Sequence, residues 1–471
     1  MRSRWAPGDA DRREYLTPSQ RNRETTTMTV FPDSKTYVIA GAGIHGLSTA
    51  WHLAMELEAR GKGSGKDIVV LDKSAPGAGA SGIACGCVRN FYMTEALHPI
   101  LRHSVDVWMS DPVRFGFQQV GYISVGEENQ TADYEKITKS QNACGYHSDV
   151  YAGKDAHNFL KGYWPDFNTE KVGVVLHERP SGYAGTRQAV AGLAEKCAQY
   201  GVQILSGVEV TGYDVTNGRI SKLRTNQGDI ACDVAVLCYG AWIGKHWEML
   251  GKPDTLEAKY PDGGSNTLDM WTYWRLLEGE VYVDQPYRDS RDLDPPVLHV
   301  ELMNTPVINE ETGKEISDHL YVYWKNGAER MERAGVQGGT IPIKIGNRAA
   351  VDPYGWDNKD YQADDWFADY LTASMAYLMK RFKGHRQNFK ERPNGGIGAF
   401  TPDNVPIFDW IMPNAYMIAD SNHGFKMTGV GKLVAKILAG DNRVAELEPF
   451  ALSRFAGGRT FGASNSHCPW V

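Results

Sequence analysis

The sequence predicts an α/β protein built on a parallel βαβ unit. Three observations predict it. A glycine-rich segment, Gly41-Ala-Gly-Ile-His-Gly46, follows the strand-like Tyr37-Val-Ile-Ala40. A second apolar run, Ile68-Val-Val-Leu71, closes on an acid, Asp72. Nearly a full chain later, Asn422-His-Gly-Phe-Lys-Met-Thr-Gly-Val-Gly431 opens an amphipathic run that stops at Gly440.

The first segment has the chemistry of a phosphate cradle. Free N–H groups and the dipole at a helix N-terminus favour an anion. Glycines let the backbone turn tightly and approach a pyrophosphate. Gly41, Gly43 and Gly46 occupy the three glycine positions. Ile44, Leu47, Trp51 and Ala54 then recur at spacings of three and four, which predicts a helix burying one face. Asp72 lies 26 residues past Gly46, against about 20 in the usual dinucleotide pattern. The polar stretch Arg60 to Lys66 reads as a longer turn that absorbs the difference. A carboxylate there accepts from ribose hydroxyls and repels a 2′-phosphate, which argues against NADP. An ordinary βαβ unit with a glycine turn is the other reading of the same pattern.

Length and composition narrow the class. With 471 residues the chain accommodates two domains or one elaborated domain. A net charge of −7 argues against a broad nucleic-acid footprint. No 18-residue apolar run is present, so no membrane span is expected. Seven cysteines form no zinc-type CxxC pair, no metal site is expected, and the usage suits a reducing, cytoplasmic setting. The nearest pair, Cys85-Gly-Cys87, fits either small residues packed in a loop or a redox pair. Residues 1–34 read as a disordered tail without an apolar secretory core, and Met28 is an alternative start. Residues 441–471 read as a C-terminal extension whose end, from Gly462, is loose.

Several stretches resemble the D-amino acid oxidase superfamily. Gly77-Ala-Gly-Ala-Ser-Gly82 is similar to its second flavin loop. Gly207-Val-Glu-Val210 is similar to the strand it passes beside the adenine, and Asp233 to Trp242 to its strand with a glycine and tryptophan turn. Thr401-Pro-Asp-Asn-Val-Pro-Ile-Phe408, Tyr416-Met-Ile-Ala419 and His423-Gly-Phe-Lys426 resemble the closing segment of the monomeric sarcosine oxidase and N-methylamino-acid oxidase branch.

The resemblance implies an α/β fold with a glutathione-reductase-type, Rossmann-like FAD domain and a discontinuous α+β substrate domain with a large mixed or antiparallel sheet. The FAD domain is expected in pieces 35–105, 185–250 and 395–440, and the substrate domain in 106–184 and 251–394. Helix Thr186 to Tyr200 is expected to be capped by Thr186 and stopped at Gly201. Strands are expected at Met270–Trp274 and Leu320–Trp324, and a helix around Trp366 to Leu378. Aromatics of those stretches suit either sheet packing or a cage for a substrate cation.

The resemblance also implies site residues. Cofactor contacts are expected from Gly41, Gly43, Ile44, His45, Gly46, Asp72, Lys73, Ala80, Ser81, Gly82, Val208, Gly240, Trp242, Gly424, Phe425 and Lys426. Arg89 and Lys426 match the pair that holds a substrate carboxylate, a planar fork beside a point charge. His423 is expected at the flavin's pyrimidine end or as a loop-orienting residue. Lys344 is similar to the strand lysine that activates dioxygen, although its alternation with Ile341, Ile343 and Ile345 also fits a solvent-facing lysine. Where the branch bonds flavin to a cysteine this chain has Gly396, so non-covalent FAD is expected. Arg348 stands where the branch often carries histidine, which counts against sarcosine itself as substrate.

These residues predict an FAD-dependent oxidase of a small N-alkylated or secondary amino acid. Its products would be an imine, then the hydrolysis products, and hydrogen peroxide from O2. The alternatives are a dehydrogenase of the same fold passing electrons to a carrier protein, and a non-catalytic FAD-binding assembly factor.

Overall fold

A computed structural model describes residues 31–327, 334–355, 357–390 and 395–462. Residues 1–30 of the expected tail and 463–471 of the expected loose end lie outside them.

The first apolar runs form the centre of an eight-stranded sheet. Strand Ser34–Ala40 pairs in parallel with Ile68–Asp72 on one side, Ala40 facing Leu71. It pairs in parallel with Gly228–Leu237 on the other, Val38 facing Ala235. Val38, Ile39 and Ala40 are fully buried, as are Ile68, Val69 and Val70. A parallel sheet covered on both faces demands such continuous apolar runs. Gln203–Ser206 adds one edge. On the other side, antiparallel strands Val210–Thr216 and Arg219–Thr225 follow Gly228–Leu237, which also pairs in parallel with Ala415–Ala419. Strand Ile407–Met412 pairs antiparallel with Ala415–Ala419. Three stretches hundreds of residues apart therefore share one sheet.

Helix Ile44–Ala59 crosses this sheet and helix Gly429–Leu438 lies against it. The contact is close because Gly431 has no side chain: a Cβ there would sit 2.5 Å from Ser48 Oγ and Thr49 N. Ser48 Oγ also donates to the Thr428 carbonyl at 2.7 Å. The two glycine-rich segments are thus locked together through their helices. Gly440, at φ +107°, terminates the second helix in the left-handed region that glycine tolerates.

The second large sheet has eight strands in the order Phe389–Lys390, Glu278–Tyr282, Gly335–Thr340, Leu320–Asn326, Val297–Leu302, Tyr122–Gly126, Val174–Glu178 and Ser148–Ala152. Helix Asp365–Leu378 packs behind it, its N-terminus capped by Asp364, which accepts from Phe367 N at 2.9 Å. A separate three-stranded antiparallel sheet has the order Ile343–Gly346, Thr272–Leu276 and Gly396–Phe400.

One local expectation is corrected. The helix after residue 185 spans Thr186–Gln199 but is capped at Gly185, with no side-chain cap. The Thr186 hydroxyl instead donates to the Gly82 carbonyl at 3.4 Å, tying this helix to the second glycine loop.

Candidate active site

Two adjoining cavities mark the site. The outer one, about 280 Å³, runs along the carboxyl ends of the parallel strands, where open α/β sheets bind ligands. The inner one, about 120 Å³, is walled by the second sheet. Ala80, Ala84, Ser421, Asn422 and Phe425 line both, so the two cavities meet along one seam.

The outer cavity is built largely of backbone. Gly41 takes φ +107°, and a Cβ there would fall 2.2 Å from the Cys238 carbonyl oxygen. Gly43 caps helix Ile44–Ala59 with no side chain of its own, Ser81 Oγ accepts from Ile44 N at 3.2 Å, and the start of the helix lines the cavity. Asp72 Oδ2 accepts from Ala42 N at 2.8 Å and Oδ1 from Ser74 N at 2.9 Å. A carboxylate has about four acceptor sites, so these bonds orient Asp72 and leave lone pairs for hydroxyls.

The far wall comes from distant chain. Lys73 Nζ lies 4.1 Å from the Trp242 ring centroid and 2.6 Å from Asp352 Oδ1. Trp242 Nε1 donates to Asp352 Oδ2 at 3.0 Å, and Tyr354 packs on the indole with centroids 5.1 Å apart. Asp352 and Tyr354 belong to the 251–394 stretch, expected in the substrate domain. No local motif precedes them, so the sequence did not single them out.

Thirteen expected cofactor residues line the outer cavity: Gly41, Gly43, Ile44, His45, Asp72, Lys73, Ala80, Ser81, Val208, Gly240, Trp242, Gly424 and Phe425. Gly46 and Gly82 do not, and Lys426 lines the inner cavity instead. Gly46 and Gly82 permit close packing: added Cβ atoms would sit 1.8 Å from Gly41 O and 2.2 Å from Gly77 O.

Behind the seam, Asp420 bridges two histidines. Its Oδ2 lies 2.8 Å from His45 Nε2 and its Oδ1 2.8 Å from His423 Nδ1. Burial opposes ionisation of Asp420, but His423 and His45 outweigh it and hold the carboxyl well below the usual range. Burial in turn lowers His423 despite Asp420. His423 lines neither cavity and packs edge-on to Tyr92. His45 Nδ1 is buried without a hydrogen-bond partner beside the outer cavity.

The inner cavity gathers side chains from separate strands. Arg89, buried, lies over the Tyr92 ring at 4.4 Å and donates to the Phe91 carbonyl. Lys426, half-buried, reaches the Asn422 carbonyl at 3.5 Å. Tyr122, Tyr321 and Tyr323 complete an aromatic wall. Cys85 and Cys87 face each other with sulfurs 3.6 Å apart, and burial pushes the Cys85 thiol well up.

Glu278 is the residue that the sequence did not reveal. It lines the inner cavity and its Oε1 accepts from the Tyr323 hydroxyl at 2.8 Å. Its Oε2 is shielded from solvent and takes no hydrogen bond. Burial pushes its pKa up to about 8, opposed by Tyr323, Lys325 and Lys426 and aided by Cys87. The available signal was an acid directly after Leu276-Leu277 in an otherwise apolar and aromatic stretch.

Lys344 does not join this group. It is exposed on strand Ile343–Gly346, with Nζ 5.9 Å from the Trp274 ring, and lines neither cavity. Arg348, also exposed, pairs with Asp254 at 3.1 Å. Gly396 lines the inner cavity, so no thiol stands there. Among the described residues no cluster suits a metal ion, and no helix is long and apolar enough to cross a membrane.

The glycine cradle, the helix start that faces the cavity, oriented Asp72 and the orphaned His45 Nδ1 fit a flavin dinucleotide. Comparison with known proteins agrees. Sarcosine oxidase subunit beta of Rhizobium meliloti is 26% identical over 235 residues, 47% of this chain and 53% of that one. The mitochondrial pyruvate dehydrogenase phosphatase regulatory subunit of Mus musculus is 22% identical over 251 residues, 51% of this chain and 27% of that one. The matches therefore span about half or less of these relatives. The solved L-proline dehydrogenase of P. horikoshii shares the fold at TM-score 0.68 and 21% identity, covering 91% of this chain and 99% of that one. A family model described as DAO, FAD dependent oxidoreductase, matches residues 36–437, and the chain belongs to that family.

Proposed function

We propose that this chain oxidises the C–N bond of a small amino acid with a secondary or N-alkylated amine. The observation that carries this reading is the cavity holding Arg89 and Lys426, which shares a wall with the nucleotide cavity. FAD, when bound, supplies the acceptor for the hydride equivalent removed from the carbon beside nitrogen.

The chain's own residues do the positioning. The cradle from Gly41 to Ile44 and the 77–82 loop hold the pyrophosphate end, without covalent attachment. Arg89 and Lys426 clamp a substrate carboxylate, one as a fork and one as a point charge. The tyrosines exclude water, which strengthens both contacts. Oriented binding of this kind is the protein's main contribution to such a reaction. The name of the Rhizobium meliloti relative supports an N-methylated amino acid as substrate class. Hydrolysis of the imine follows in water, and dioxygen becomes hydrogen peroxide, with Lys344 as the cation serving that step.

A dehydrogenase passing electrons to a carrier protein is the second reading. It is favoured by the position of Lys344 in solvent rather than in either cavity. One experiment separates the two. The FAD-loaded protein is mixed anaerobically with sarcosine, N-methyl-alanine, 4-methylaminobutanoate and L-proline, then exposed to air. Bleaching by at least one amine followed by rapid return of the yellow colour with peroxide is the expected result. Bleaching by none rejects the substrate class, and sluggish recolouring establishes the dehydrogenase.

A further inference from the structure

We propose that Glu278 meets the amine end of the substrate, accepting an N–H of the bound ammonium on Oε2 and then taking its proton. This rests on the reading of Arg89 and Lys426 as the carboxylate clamp. The step is balanced: R2NH2⁺ and the Glu278 carboxylate become R2NH and the Glu278 carboxylic acid. One N–H bond breaks, one O–H bond forms and no electrons change hands. An amine must be neutral for its lone pair to assist C–H cleavage, so a proton acceptor is needed near it.

Three features single out Glu278. It is a carboxylate in a cavity that also carries two cations, so the site has an acidic and a basic part, as a zwitterion has. One oxygen is anchored by Tyr323 at 2.8 Å, which fixes the other. That other oxygen, Oε2, is shielded and takes no hydrogen bond. A buried acceptor left unmatched is destabilising, a penalty that a donating ligand removes. A base whose pKa lies near working pH is suited to proton transfer, and burial moves this carboxyl to about 8.

The groups facing Glu278 set its titration. Cys85 and Cys87 come from the 85–89 segment, Tyr323 and Lys325 from strand Leu320–Asn326, and Lys426 from the 422–428 loop. Lys325 is buried, 4.4 Å from the Tyr183 ring, with Nζ donating to the Asn326 carbonyl at 3.1 Å.

The test uses propionate, a carboxylate without nitrogen, titrated into the FAD-loaded protein and followed by the visible spectrum. Ionised Glu278 repels it, so binding is expected to weaken about tenfold between pH 7 and 9.5. In Glu278→Gln binding is expected to stay within about twofold over that range. In Cys87→Ser the tenfold drop persists, which excludes the neighbouring thiol as its source. Tyr323→Phe moves the drop to higher pH and serves should Glu278→Gln fail to fold. With an amine that bleaches the wild type, Glu278→Gln slows flavin reduction at pH 8 by at least about a hundredfold, the low end for a general base. A pH-independent wild type, or a drop that survives Glu278→Gln, overturns the inference. Absence of propionate binding at every pH removes the carboxylate clamp itself, and the inference with it.

Discussion

The two cavities are made of different material. The outer one is shaped by backbone: a left-handed glycine, a helix start at Gly43 and a carboxylate held by two amide N–H groups. The inner one is shaped by side chains, with Arg89, Glu278, Tyr323 and Lys426 each delivered by a different segment. Backbone cavities depend on conformations that few residues adopt, so substitutions there act on cofactor capture. Side-chain cavities tolerate substitution structurally, so changes there act on substrate choice and rate.

The sharpest break of that contrast is Gly41→Val. Valine at φ +107° is strained by about 3 kcal/mol, and its Cβ would meet the Cys238 carbonyl oxygen at 2.2 Å. FAD affinity is expected to fall about a hundredfold or more, read as flavin absorbance per protein after dialysis. Wild-type loading would show that the outer cavity is not the dinucleotide site.

Arg89→Met should do the opposite. A charge-assisted hydrogen bond is worth about 1.5–3 kcal/mol. The KM for a reactive amino acid is expected to rise about tenfold to a hundredfold, with flavin content unchanged. A lowered flavin content with normal KM would place Arg89 in the cofactor site.

Lys344→Met carries the smallest effect. An exposed charge contributes at most about 1 kcal/mol, so reoxidation of reduced flavin by air is expected to slow about fivefold. The sequence-based expectation of a cation close to the ring allows a far larger loss, and stopped-flow reoxidation distinguishes the two magnitudes. An unchanged rate removes Lys344 from the dioxygen step.

The same contrast explains what could be read in the sequence. Gly41, Gly43 and Asp72 are legible because a phosphate cradle needs particular residues at short, ordered spacing, whereas the 77–82 loop is recognised by resemblance. The parallel strands are legible because doubly covered strands must be continuously apolar. Arg89 and Lys426 became visible only through resemblance, since neither sits in a pattern with its own physical signature. Glu278 offers only its place after Leu276-Leu277, and no local motif precedes Asp352. Each acquires meaning from partners far along the chain: Tyr323 for one, Lys73 and Trp242 for the other. Thr186 shows the reverse error, where a good capping residue at a helix start is recruited by a neighbouring loop instead.

The bracket of Asp352 across Lys73 and Trp242 has a consequence for assembly. The outer cavity's walls are contributed by residues as early as Ala40 and as late as Phe425. A ribosome must therefore have made almost the whole of this stretch before any pigment can lodge in it. Capture of the flavin is then a closing act of maturation rather than a seed for folding. By mass action, cells short of riboflavin would hold a looser, more readily degraded form of the polypeptide.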